Sequence, residues 1–189
     1  MSHLCVYCSS SDAVDGGFFE AARDLGRRIG EGGHVLIYGG GRTGLMGAVA
    51  RAAKDYGGRV IAVIPRFMAE KGVAFQDADE TVLTEDMRER KAVMERRADA
   101  FLALPGGFGT LEEVLEVLTL RQLGLHGKPI VFVNTGGFYD PLVRMFDDLV
   151  ERRFAKPSLL AAAAFAPGPA EALERIASYR PADLGSKWF

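Results

Sequence analysis

A doubly wound α/β domain, a parallel sheet with helices on both faces, is predicted by three features of this chain. Strand-like and helix-like segments alternate from residue 4 nearly to the end. The strand-like runs are short and apolar throughout, as strands covered on both faces are, rather than alternating apolar with polar. Glycine-rich turns join two of these runs to the helices that follow them, at 39–44 and 106–109. Together these features specify a Rossmann-like single domain, whose ligand sites lie at the carboxyl ends of the strands.

Residues 4–8 read as the first strand and 18–29 as a helix, with Phe19, Ala22 and Leu25 at helical spacing. A strand over 35–38, a helix over 43–56 and a strand over 60–64 follow. The stretch 65–84 is irregular and long for a connection in a compact domain, the profile of a lid or binding loop. A charged helix over 85–98, a strand over 101–104, an apolar helix over 111–123, a strand over 130–134 and a helix over 138–154 complete a core of about 4–154. From 155 to 189 the chain is alanine- and proline-rich and reads as a helical tail, with a short helix over 170–178.

Composition narrows the function. At 189 residues the chain fits one domain with a sizeable core. A formal net charge of −2 favours neither nucleic acid nor a membrane surface. The opening Met1-Ser2-His3-Leu4-Cys5 has no signal-peptide pattern, and no apolar run approaches the ~20 residues that cross a bilayer. A cytoplasmic protein is expected. Cys5 and Cys8 form a C-x-x-C, but within the first strand, where their side chains point to opposite faces and pack as buried thiols. A zinc site would need further ligands, and His3, His34 and His126 are scattered, so no metal is expected.

Three stretches carry the chemistry. Gly39, Gly41 and Gly44 make a G-x-G-x-x-G between a strand and a helix, read here as a nucleotide or phosphate cradle. The acid that a dinucleotide site needs about 20 residues on is missing from Ile61-Ala62-Val63-Ile64-Pro65-Arg66, which argues against NAD. No Gly-Lys-Ser/Thr closes the loop, which excludes a Walker A site. The second stretch, Asp86-Met87-Arg88-Glu89-Arg90-Lys91, is either a solvated helix with internal ion pairs or a source of cleft-facing cations in Arg90 or Lys91.

The third runs from the strand Ala100–Leu104 through Pro105, Gly106 and Gly107 into a helix. Such a turn lets the backbone approach a ligand and aims free N–H groups at an anion. Thr110 and Glu113 fit a capping box, with Thr110 opening the helix, or Glu113 faces the ligand. Further along, Leu111, Val114, Leu115 and Leu118 make one apolar face while Val117 and Leu120 lie on the other, followed by Leu123 and Leu125. A helix apolar most of the way round is buried on more than one side, so a homodimer through residues 111–125 is expected.

Combined, these stretches give P-G-G-x-G-T-x-x-E at 105–113, M-x-x-R-K at 87–91 and G-G-G-x-x-G-L-M-G at 39–47, with Arg90 and Glu113 23 residues apart. Over about 5–154 the chain resembles the LONELY GUY family, the cytokinin riboside 5′-monophosphate phosphoribohydrolases also labelled lysine decarboxylase-like. The resemblance implies cleavage of the N-glycosidic bond of AMP or N6-modified AMP, giving free base and ribose 5-phosphate without a cofactor. It implies that Arg90 and Glu113 carry the reaction. Gly40, Met46, Glu70, Met87, Lys91, Pro105, Gly106, Gly107, Phe108, Gly109, Thr110, Leu111, Glu112 and Thr119 are then the positions that line the substrate site. It also implies a dimer. Two alternatives stand beside it: a nucleotide- or cofactor-binding carrier without turnover, and an amino-acid decarboxylase, which would need a Schiff-base lysine.

Overall fold

The computed structural model describes residues 1–185, and residues 186–189, at the end of the stretch read as a helical tail, lie outside the described residues. Seven strands form one all-parallel sheet in the order β4-β3-β2-β1-β5-β6-β7. The strands are β1 His3–Tyr7, β2 Val35–Tyr38, β3 Arg59–Pro65, β4 Glu80–Thr84, β5 Ala100–Ala103, β6 Ile130–Val133 and β7 Ala164–Ala166. The helices are α1 Gly16–Glu31, α2 Gly44–Asp55, the single turn α3 Arg66–Ala69, α4 Met87–Arg97, α5 Phe108–Gln122, α6 Asp140–Glu151 and α7 Pro169–Ala177.

Strand residues alternate between two cores, because successive side chains leave a strand on opposite faces. Leu4, Val6, Leu36, Tyr38, Leu102 and Val131 pack under α1, α2 and α7. Cys5, Tyr7, Ile37, Val63, Phe101 and Phe132 face α4, α5 and α6. Cys5 and Cys8 accordingly sit in different cores, both as buried free thiols. α1 and α2 pack closely because Gly26 carries no side chain; an added Cβ would lie 2.8 Å from that of Ala52.

Three differences from the sequence reading have local causes. The stretch 65–84 holds α3 and an edge strand, β4, which its polar Glu-Thr-Val-Leu-Thr sequence hides; β4 pairs only with β3, and its side chains alternate in exposure. Asp79 steers the chain into it, its carboxylate accepting from the Val60 N–H at 2.8 Å. The segment read as a helical tail holds β7, three alanine- and phenylalanine-built residues that extend the sheet beyond β6, and α7 packs back on α1. Finally, α5 begins at Phe108 rather than Thr110, because Gly107 serves as its N-cap.

Candidate active site

The sheet order reverses between β1 and β5, and the crevice at their carboxyl ends is where an open α/β sheet receives a ligand. A cavity of about 520 Å³ lies there. Its walls are the loop Cys8–Ser11 after β1, Gly39, Gly41 and Thr43 after β2, Met46 from α2, Met87 and Arg90 from α4, and Gly107, Gly109, Thr110 and Glu113 from α5. Met68 and Val73, from the stretch after β3, close the remaining side. That stretch is tied to the glycine loop: Arg42 N–H donates to the Val73 carbonyl at 3.0 Å and Phe75 N–H to the Gly40 carbonyl at 2.9 Å. The buried Phe75 ring anchors it in the core.

Arg90 reaches the cavity because α4 starts where it does. The Asp86 carboxylate accepts from the N–H groups of Arg88 and Glu89, both at 2.8 Å, and the Glu89 side chain reaches back to Glu85 N–H at 2.7 Å. This reciprocal cap fixes the first turn. α4 then buries only Arg90 and Met94. Arg90 is 4 % exposed; its Nε donates to the Val63 carbonyl at 3.1 Å and its Nη1 to Glu113 Oε1. Of the two sequence alternatives for the charged segment, Arg90 turns in, whereas Lys91 pairs with Glu112 and with Glu116 (2.7 Å) outside the cavity.

Glu113 is equally buried, at 4 % exposure, and spends its side chain on Arg90. The capping box is therefore not formed: Gly107 is the cap, Thr110 lies within the first turn, and Glu113 does not turn back to the helix start. Burial pushes the Glu113 carboxyl above its ordinary value of 4.5, against the pull of the Arg90 charge and hydrogen bond. Behind it on β1, burial pushes the Cys5 thiol up to about 12 and the Tyr7 phenol well above its usual range.

Two helix N-termini flank the cavity, and they differ. At α2 the chain supplies its own acceptors: Gly44 N–H donates to Asp12 Oδ1 at 2.8 Å and Met46 N–H to the Ser9 carbonyl at 3.2 Å. The Thr43 hydroxyl donates to the Ser10 carbonyl at 2.9 Å, so the loop after β1 is stapled onto this helix. At α5 no side chain caps the helix, and among the described residues no protein acceptor takes the N–H groups of Phe108, Gly109 or Thr110. Asp12 and Ser9 thus take two of the N–H groups of the cradle read from Gly39–Gly47, whereas at the Pro-Gly-Gly turn the first three N–H groups of α5 stay without a protein acceptor among the described residues. Gly106 makes that turn possible, since an added Cβ would lie 2.6 Å from the Thr110 Cβ.

Of the residues singled out in the sequence, Met46, Met87, Arg90, Gly107, Gly109, Thr110 and Glu113 meet in the cavity. Gly40 lies behind it, buried at φ +76°, a left-handed conformation that glycine adopts without strain. Pro105 and Gly106 sit beneath the turn, where the Pro105 carbonyl accepts from Ser9 N–H at 3.2 Å. Leu111 packs into the core under α5, and Phe108 projects outward, 93 % exposed. Glu70 and Glu112 are on the surface, and Thr119 faces an apolar groove between α5 and α6. Gly39 and Gly41 of the glycine motif border the cavity as well. Sequence reasoning did not single out Ser9–Ser11, Thr43, Met68 and Val73; for the serines, their place directly after the first strand was an available signal. Among the described residues no group of three or more His, Cys, Asp or Glu could hold a metal, and no helix is long and apolar enough to cross a membrane.

Known proteins share both sequence and fold with this chain. The family described as "Possible lysine decarboxylase" matches residues 46–176. The probable cytokinin riboside 5′-monophosphate phosphoribohydrolase LOGL2 of Oryza sativa subsp. japonica is 42% identical over 94% of this chain and 73% of its own length. Cytokinin riboside 5′-monophosphate phosphoribohydrolase LOG5 of Arabidopsis thaliana is 40% identical over 98% of this chain and 83% of its own length. Among solved structures, the molybdenum cofactor binding protein from Rippkaea orientalis superposes with a TM-score of 0.73 at 21% identity, covering 94% of this chain and 96% of that one. At that identity the likeness concerns the fold alone.

Proposed function

This chain belongs to the LONELY GUY family of lysine decarboxylase-like proteins, and from that premise we propose that it is a phosphoribohydrolase acting on nucleoside 5′-monophosphates. The substrate is AMP carrying an N6 substituent, or AMP itself, and the products are the free base and ribose 5-phosphate. One observation carries the reading: the buried Arg90–Glu113 pair borders the same cavity as the uncapped N-terminus of α5.

The 5′-phosphate binds the open N–H groups of Phe108, Gly109 and Thr110, where the α5 dipole favours negative charge. Fixing the phosphate holds the ribose against Glu113, and such positioning lowers the barrier by several kcal/mol. The C1′–N bond breaks with its electron pair leaving on the base, through an oxocarbenium-like state. The Glu113 carboxylate stabilises that charge and takes a proton from the water whose oxygen bonds C1′. The proton ends on the departing base nitrogen, so the sum is base plus ribose 5-phosphate. Arg90 favours the ionised form of Glu113 against the opposing effect of burial. The base lies along the apolar wall of Met46, Met68, Val73 and Met87.

Incubation with AMP and with isopentenyl-AMP, followed by chromatography, tests this directly. Release of free base by the wild type, lost in Glu113→Gln, supports the reading; tight nucleotide binding without release would make the protein a carrier instead. A decarboxylase is disfavoured because among the described residues no lysine lines the cavity, and Lys91, though its burial opposes the charge, has its charged form favoured by Glu112 and Glu116.

The protein is further proposed to be cytoplasmic and to act as a homodimer. The outer side of α5 supports the dimer: Leu115 and Thr119 border the apolar groove completed by Phe146 and Leu149 of α6, and Leu123 and Leu125 stand exposed beyond it.

A further inference from the structure

We propose that Gly39 is a positioning residue for Arg90, left without a side chain so that the guanidinium can reach Glu113. This rests on the reading of Arg90 and Glu113 given above. Two nitrogens of the guanidinium are committed, Nε to the Val63 carbonyl and Nη1 to Glu113. The third, Nη2, lies against the Gly39 Cα, in the space that a side chain would occupy. A Cβ built on Gly39 would overlap Nη2 outright and stand 3.0 Å from Cζ, and the next atom met is the methyl end of Met46 at 3.3 Å.

Gly39 is not required by its backbone. It is absent from the glycines with left-handed φ, whereas its neighbour Gly40 has φ +76°. Any residue could adopt the Gly39 conformation, so the constraint is one of room. The obstructing group is the tip of a long side chain, and the chain can accept alanine at 39 by swinging Arg90 aside. That movement breaks the bond to Glu113 and leaves a buried carboxylate without its counter-charge.

Carbon-13 NMR of the carboxyl groups in the ligand-free protein reads the effect without substrate. Around Glu113 stand Arg90 and Lys91 of α4, Glu112 of its own helix, Cys5 and Tyr7 of β1, and Cys8 directly after it. Gly39→Ala changes the position of Arg90 alone among these. The Glu113 titration moves to higher pH in Gly39→Ala, does so in Arg90→Met, and moves no further in the double variant. Turnover falls by roughly 100-fold in Gly39→Ala, the scale of a displaced catalytic group. An unmoved Glu113 titration in Gly39→Ala, or an equal added shift in the Arg90→Met background, overturns the proposal. If Gly39→Ala does not fold, the double variant, which lacks the obstructing nitrogen, must fold; its failure also overturns it. Normal turnover in Arg90→Met and Glu113→Gln would instead remove the proposed reaction while leaving the NMR result to judge Gly39.

Discussion

Arg90 and Glu113 are 23 positions apart in sequence, yet they share one buried ion pair that joins α4 to α5 at the floor of the cavity. Arg90 is the fourth residue of α4 and Glu113 the sixth of α5, and neither placement is an accident of composition. Asp86 sets the start of α4 and Gly107 the start of α5, and these two caps aim the side chains at each other. Removing one partner from such a pair strands the other's charge in a low dielectric.

Glu113→Gln keeps the shape and removes the charge. It is expected to lower kcat by at least ~100-fold, the scale of a general base, while the dissociation constant for AMP changes little. Product chromatography and calorimetry check the two halves. Near-normal rates would end the assignment of Glu113.

The pH dependence follows from burial. The Glu113 carboxyl sits above 4.5, so its reactive ionised form is lost as pH falls through that raised value. The acid limb of kcat/KM is expected above pH 4.5, and Arg90→Met moves it higher still. Stability follows the same sign: with its folded pKa raised, ionised Glu113 opposes folding at neutral pH once Arg90 is gone. Arg90→Met is therefore expected to cost about 3 kcal/mol at pH 7, a loss that shrinks as acid protonates Glu113. Urea titrations at two pH values measure it.

Asp12 accepts from the Gly44 N–H at the α2 N-terminus, whereas the α5 N-terminus has no side-chain cap. Asp12→Ala uncaps α2 and is expected to cost about 1 kcal/mol, with Asp12→Asn nearly neutral because it keeps the acceptor. With one of its three ties to α2 lost, the serine loop after β1 holds its wall of the cavity less firmly, and KM for AMP rises. Equal stability of the two variants would mean that the Asp12–Gly44 bond contributes nothing.

The thiols give a negative control. Cys5 and Cys8 are buried and burial pushes both upward, Cys5 to about 12, so neither forms thiolate at neutral pH. Native protein is expected to resist a disulfide-exchange reagent that modifies both thiols in urea, and Cys5→Ser with Cys8→Ser should retain turnover. Fast labelling of native protein would contradict their burial.

Leu115→Glu places a charge in the groove between α5 and α6, away from the cavity. If copies of the chain pair through this face, sedimentation will show the variant as a monomer where the wild type is a dimer. Identical sedimentation would place any interface elsewhere.

Local pattern sufficed where local forces decide. Apolar runs marked β1, β2, β3, β5 and β6, because strands buried on both faces must be apolar throughout, and glycine turns marked the two loops that meet at the cavity. β4 and β7 escaped notice for opposite reasons. One is an edge strand whose polar residues face water; the other is three residues long and alanine-rich, with no period of its own.

The candidate site divides in the same way. The sequence by itself determined the doubly wound architecture and the Pro-Gly-Gly turn that opens α5, and it singled out Arg90 and Glu113. Only the tertiary structure decided between Glu113 as a cap and Glu113 as a partner of Arg90, and between Arg90 and Lys91 as the inward cation. It alone showed that Asp12 occupies the α2 terminus and that Gly39 makes room for a guanidinium. The reason is physical: spacing along a helix fixes which residues share a face, but which face meets a cavity depends on the neighbouring elements, and those come from distant parts of the chain.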